Sequence, residues 1–200
     1  MSINIQGEMY TGFIDYDRAK LQNKPVDVWI DWLQYRINLI LISPLDYFFD
    51  RQSPLFKCLN HEDSSTTLAG LTVILCAVDA LGAFKAGSSA NPGNFRTWIE
   101  KYMPKWDTSS PLSNRDIKEW LYDELRCGLA HQLSVKKGGA EWINNIIEEP
   151  SAGDIKIDPE AFYTDFKDGV QKYFDDVRND ATTNLKSYFH NRFRSTLINP

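Results

Sequence analysis

Cysteine is scarce in this chain. Cys58, Cys76 and Cys127 are odd in number, widely spaced and form no Cys-x-x-Cys, so neither a disulfide framework nor a zinc site is expected. A reduced, cytoplasmic setting is the expectation, with no metal and no cofactor. Positive charge is also short. The 22 Lys and Arg face 27 Asp and Glu, a net charge of −5, which argues against a protein that grips nucleic acid mainly by counterion release. Contact with RNA would have to be local. The first ten residues lack the basic start and apolar run of a signal peptide. The longest apolar stretch, residues 68–86, is interrupted by Gly70, Thr72, Asp79, Gly82 and Lys85. A membrane span needs about 20 cleaner residues, so this reads as a buried helix, with no membrane partner. Internal repeats and low-complexity segments are absent from the sequence.

What is present is apolar and aromatic material. With 42% hydrophobic and 13% aromatic residues, 200 residues suffice for one domain, 1–200, with a real core. Residues 1–22 show no sustained period and read as an N-terminal arm, pinned by Tyr10, Phe13 and Tyr16. From Pro25 the spacing turns helical, with Val26, Trp29, Ile30, Leu33, Ile37, Ile40 and Leu41 on one stripe. Ser43-Pro44 should stop or kink that helix and cap the next, and Ser53-Pro54 repeats the signal, giving two short helices to about Asn60. Residues 61–65 are a polar connection, from which Ser65 or a neighbour caps a helix through Leu68, Leu71, Ile74, Leu75, Val78 and Leu81. Lys85 and Gly87 end it.

Asn91-Pro92 starts a helix with Phe95, Trp98, Ile99 and Tyr102 that Pro104 ends; a turn-rich linker follows. Ser113, with Asp116 three residues on, caps a helix whose core stripe is Ile117, Trp120, Leu121, Leu125 and Gly128. A small β-hairpin within 140–157 turns across residues 150–153. Asp158-Pro159 opens a long last helix through Phe162, Phe166, Val170, Tyr173, Phe174 and Val177, with a break near 179–184. The expected fold is mainly α: an antiparallel helical bundle with a small β-hairpin before the long last helix.

The candidate chemistry is Arg126 and His131. Histidine accepts and returns protons near neutrality, with an unperturbed pKa of about 6.5. Arginine is permanently charged and forks onto two phosphate oxygens. Together they suffice for phosphodiester transfer in which an RNA 2′-hydroxyl is the nucleophile. The competing reading is structural: a histidine bonded at a helix end and an arginine paired with Asp123 or Glu119. Cys127 reads as a buried thiol rather than a nucleophile, since no base lies within sequence reach. His61-Glu62-Asp63 reads as a solvated turn rather than a metal site. Lys186, Tyr188, Phe189, His190, Arg192, Phe193 and Arg194 form a basic, aromatic tail that either packs its rings or meets RNA. Gly138-Gly139 lacks the strand-to-helix frame of a phosphate loop.

Arg126-Cys127-Gly128-Leu129-Ala130-His131, near the end of a bundle helix, resembles the HEPN superfamily, whose signature is an arginine followed four to six residues later by a histidine. The resemblance covers about residues 64–178 in organisation. It implies a metal-independent RNase or toxin of a defence or toxin–antitoxin system, Arg126 and His131 as catalytic residues, and a site completed by a homodimer, with RNA and an antitoxin as partners. It equally admits a non-catalytic binding or scaffold protein. Cys127 stands where active members often carry Asn, Asp or His, and Leu133 stands where one subgroup has tyrosine. On an ideal helix Arg126 shares a second stripe with Tyr122, Leu129 and Leu133, a candidate self-association interface. His131 would lie about 140° from Arg126, so convergence requires the helix to distort near 128–131 or the partner to complete the site.

Overall fold

The computed structural model describes residues 2–49, 64–107, 116–128, 138–141, 143 and 145–200. The N-terminal residues are not an arm. Strands β1 (Ile3–Ile5) and β2 (Glu8–Tyr10) pair antiparallel, with Ile3 opposite Tyr10, and helix α1 (Ile14–Leu21) follows. Gln6 and Gly7 both take positive φ, 49° and 88°, the conformation of a tight two-residue hairpin turn. Ile5, Tyr10, Asp17 and Leu21 are buried, whereas Phe13 and Tyr16, expected as pins, are exposed. Strands of three residues are too short for alternation to register in the sequence. The anchor is instead the buried Asp17 carboxylate, which accepts hydrogen bonds from the Gly12 N–H at 2.8 Å and Trp32 Nε1 at 2.8 Å.

Helix α2 (Val26–Ile37), preceded by Pro25 in extended conformation, does not stop at Ser43-Pro44. It widens into a π turn (Asn38–Ile42) and resumes as α3 (Ser43–Phe49). Within the π turn the Ser43 N–H donates to the Asn38 carbonyl, five residues back. That wider turn accommodates Pro44, whose ring would otherwise meet the carbonyl four residues earlier. It also shifts the helical phase. Trp29, Ile30, Leu33 and Leu41 are buried as their spacing predicts, but Ile40 is turned outward. Of the two short helices expected before Asn60, α3 supplies one; residues 50–63, including His61-Glu62-Asp63, lie outside the described residues.

Helix α4 (Ser64–Ala86) is long and apolar enough by composition to cross a membrane, yet 56% of its Thr67–Ala86 window is buried in the protein. Leu71, Ile74, Leu75, Val78 and Leu81 form its inner face. Gly87, at φ 63°, closes it, with Ser88 N–H donating to the Ala83 carbonyl and Gly87 N–H to that of Phe84. Asn91 caps α5 (Pro92–Tyr102), its side chain accepting from the Asn94 N–H at 2.9 Å, and Pro104 ends it in a 3₁₀ turn. The two helices approach closely at Gly82, where a Cβ would sit 2.6 Å from the Asn94 carbonyl oxygen. Gly82→Ala is therefore expected to force α4 and α5 apart and cost about 1–3 kcal/mol, read from urea unfolding.

Helix α6 (Ile117–Trp120) is capped by Asp116, whose carboxylate accepts from the Lys118 N–H at 2.9 Å; Ser113, the expected cap, lies outside the described residues. Lys118 is buried among Glu100, Asp107 and Asp116. Burial works against its charge, but the hydrogen bonds to Asp107 and Glu100 more than offset this, holding the ammonium well above the usual lysine range. The helix continues as a second π turn, Leu121–Arg126, and its predicted stripe of Ile117, Trp120, Leu121, Leu125 and Gly128 is buried.

The expected hairpin is present as β4 (Ile147–Ser151) and β5 (Asp154–Ile157), and a further strand, β3 (Gly139–Ala140), adds parallel to β5. Asp158 caps α7 (Pro159–Arg178), accepting from the Ala161 N–H at 2.8 Å, and all six predicted positions from Phe162 to Val177 are buried. The chain breaks at Asn179 and restarts after Asn184, φ 60°, as α8 (Leu185–Phe193). The molecule is thus a mainly α bundle with a small hairpin before its longest C-terminal helix. One buried cluster runs from Ile5 to Ile198.

Candidate functional site around Arg126

Arg126 closes the π turn after α6 and reaches across to α4. Its Nη2 donates to Asp79 Oδ2 at 2.7 Å, with the two side chains 21% and 8% exposed. The partner is neither Asp123, which is exposed, nor Glu119, which pairs with Arg96 at 3.6 Å. The guanidinium carbon lies 5.5 Å from the centre of the Tyr122 ring, and Nη1 stands 3.9 Å from Cys127 Sγ. Burial disfavours the charge on Arg126, but the contacts with Cys127 and Asp79 outweigh it and raise its proton affinity. Arg126 is therefore a fixed cation with a defined orientation. Asp79 Oδ1 meets no hydrogen-bond donor among the described residues.

Tyr122 is half-buried, its ring 5.2 Å from that of Phe95 in an edge-on arrangement. Desolvation raises its phenol pKa despite the nearby guanidinium. Both described members of the second stripe, Tyr122 and Arg126, thus lean on α4 and α5 of their own chain. The π turn is the cause: Cys127 N–H donates to the Tyr122 carbonyl five residues back, so the helix departs from α geometry before the region expected to distort. His131, Leu129 and Leu133 lie outside the described residues. Cys127, expected to be buried, is only half-buried.

Sequence reasoning missed Asp79. A signal was there: a lone carboxylate next to Val78 in an otherwise apolar helix must find a cation or neutralise. Among the described residues no cluster of three or more His, Cys, Asp or Glu could hold a metal ion. In the C-terminal tail Phe189 and Phe193 are buried, His190 stacks on Trp29 at 5.0 Å and Lys186 pairs with Asp27 at 2.6 Å, while Tyr188 is exposed. No family model, curated protein or solved structure matches this chain.

Proposed function

We propose that this protein is a metal-independent, HEPN-like endoribonuclease acting as a cytoplasmic homodimer in a defence or toxin–antitoxin setting. The observation that supports it most is the Arg126 guanidinium, held on Asp79 at 2.7 Å and backed by Tyr122 within an otherwise acidic chain. A cation fixed before the substrate arrives stabilises a developing phosphorane without reorganising, which is where such groups contribute most. In this reading the 2′-oxygen bonds to phosphorus and the 5′-oxygen leaves. His131 takes the 2′-hydroxyl proton or supplies one to the leaving oxygen, and Arg126 holds the non-bridging oxygens.

The second reading is a non-catalytic, HEPN-like binding or scaffold protein, with an antitoxin or another protein as partner. The same ion pair favours it, since Asp79 compensates the Arg126 charge and gives the pair a packing role of its own. Cleavage of single-stranded RNA in excess EDTA separates the two. The nuclease reading expects cleavage that His131→Ala reduces about 100-fold or more. Absence of cleavage by the wild-type protein, or equal rates in the variant, gives the site to the scaffold reading.

A further inference from the structure

The cleft between β1, α2 and the end of α7 holds about 350 Å³, at the lower end of the range for ligand pockets. Residues 3–6, all of β1 and the first turn residue, line one wall without a gap. Successive side chains of a strand point to opposite faces, so a cavity that meets every one of them, and no residue of β2, lies along the free edge of β1. Polar residues make the opposite wall: Gln34, Tyr35, Asn38 and Arg178.

The register decides what that edge offers. Ile5 and Glu8 flank the two-residue turn as a hydrogen-bonded pair, so the next pair, Asn4 and Met9, turns its backbone N–H and C=O groups away from the hairpin. On the β2 side Lys20 Nζ donates to the Met9 carbonyl at 2.7 Å and covers that edge. On the β1 side the Asn4 N–H and C=O meet no partner among the described residues. Across the cleft the Tyr35 hydroxyl is closed to water and also lacks a hydrogen-bond partner among the described residues, and Asn38 is exposed. The charged groups are already matched. Arg178 pairs with Asp31 at 2.9 Å, reaches Asp175 at 3.4 Å and donates to Gln34, whose own amide donates to Gln171 at 2.8 Å.

We propose that this cleft binds a short, extended peptide segment without net charge, which adds to β1 as a third strand of the N-terminal sheet. One residue of an extended chain carries both the acceptor and the donor that the Asn4 N–H and C=O require, at the spacing a neighbouring strand supplies. An acidic or basic segment finds no free counter-charge, because Arg178 and Asp31 satisfy each other. A phosphate meets the same paired guanidinium, which counts against a nucleic acid. With three residues at roughly 3.4 Å each, β1 offers about 10 Å of edge, so the segment is short and its binding reversible. The cleft shares no residue with the Arg126 site, and the proposal holds whether or not the protein cleaves RNA.

Titrating the isotope-labelled full chain with the capped peptide Thr-Val-Thr-Val-Thr, and following backbone amide resonances, tests it. Shifts are expected at residues 4–7, Tyr35 and Asn38, with slowed hydrogen exchange at the Asn4 amide. Asn4→Pro removes the outward N–H and leaves the bonds between β1 and β2 in place. It should weaken binding about tenfold or more, while Asn4→Ala, which equally loses the side-chain bond to the Gly7 N–H at 2.9 Å, should bind within about twofold of wild type. Asn38→Trp fills the cleft from an exposed position outside the strand and should abolish binding, which keeps the test intact if proline disturbs the hairpin. Absence of these shifts overturns the proposal, as does binding indifferent to both Asn4→Pro and Asn38→Trp. Shifts of the same amides by adenosine, with none by the peptide, also overturn it, by giving the cleft to a nucleobase.

Discussion

Asp17→Ala is expected to be among the most destabilising single substitutions in the chain, costing about 3–5 kcal/mol. The carboxylate is fully buried and accepts from the Thr11 N–H at 3.0 Å, the Thr11 hydroxyl at 3.2 Å, the Gly12 N–H at 2.8 Å and Trp32 Nε1 at 2.8 Å. Removing it strands the Gly12 N–H and the Trp32 indole N–H in a buried site and takes the acceptor from the half-buried Thr11, and each unsatisfied buried donor costs roughly 1–3 kcal/mol. It also releases the link between the N-terminal hairpin and α2. Against a total stability of about 5–15 kcal/mol this is a large share. At roughly 2–4 °C per kcal/mol for a chain of this size, the melting midpoint should fall by about 6–20 °C. Asp17→Asn should recover much of the loss, because all four of these bonds go to Oδ2, whose place the amide oxygen can take, leaving the amide NH2 to face only the Thr11 N–H. A thermal melt of the alanine variant within about 1 °C of wild type would show that these bonds do not anchor the N-terminus.

The second large effect concerns Asp79 and Arg126, where the two single changes should be unequal. Arg126→Ala leaves a carboxylate only 8% exposed without its cation, at a cost of about 3–5 kcal/mol. Asp79→Ala leaves a guanidinium that is 21% exposed and can turn toward water, so its cost should sit below that range. Replacing both, Asp79→Leu with Arg126→Met, should restore stability to near wild type, since apolar residues of similar volume often match a buried ion pair. Urea midpoints of wild type, Asp79→Leu, Arg126→Met and the double variant form a cycle that gives the coupling directly. Additive losses would mean that the two side chains do not act as a unit.

These expectations separate what the sequence made legible from what it did not. Helices α4, α5 and α7 could be read because each is long, strictly periodic and bounded by a local signal: Gly87 at one end, Asn91-Pro92 and Asp158-Pro159 at the others. The hairpin of β4 and β5 could be read from its turn, but β3 could not, being two residues long. The π turns escaped because a one-residue widening leaves composition and capping unchanged while altering phase; it turned Ile40 outward and Tyr122 onto Phe95. Arg126 stood out as a candidate from its spacing to His131. Its partner did not, because Asp79 lies 47 residues away and only packing of α4 against the second π turn brings them together.

The most direct test of the account is RNA cleavage by the Asp79→Leu/Arg126→Met protein, measured beside wild type in excess EDTA and at matched thermal stability. Because the fold should survive this exchange, loss of activity cannot be ascribed to unfolding. Wild type is expected to cleave, and the double variant to be slower by about 100- to 1,000-fold, the usual cost of removing a preorganised charge from a phosphoryl transition state. Equal cleavage by the two proteins, or none by wild type, would contradict the assignment of Arg126 to phosphate.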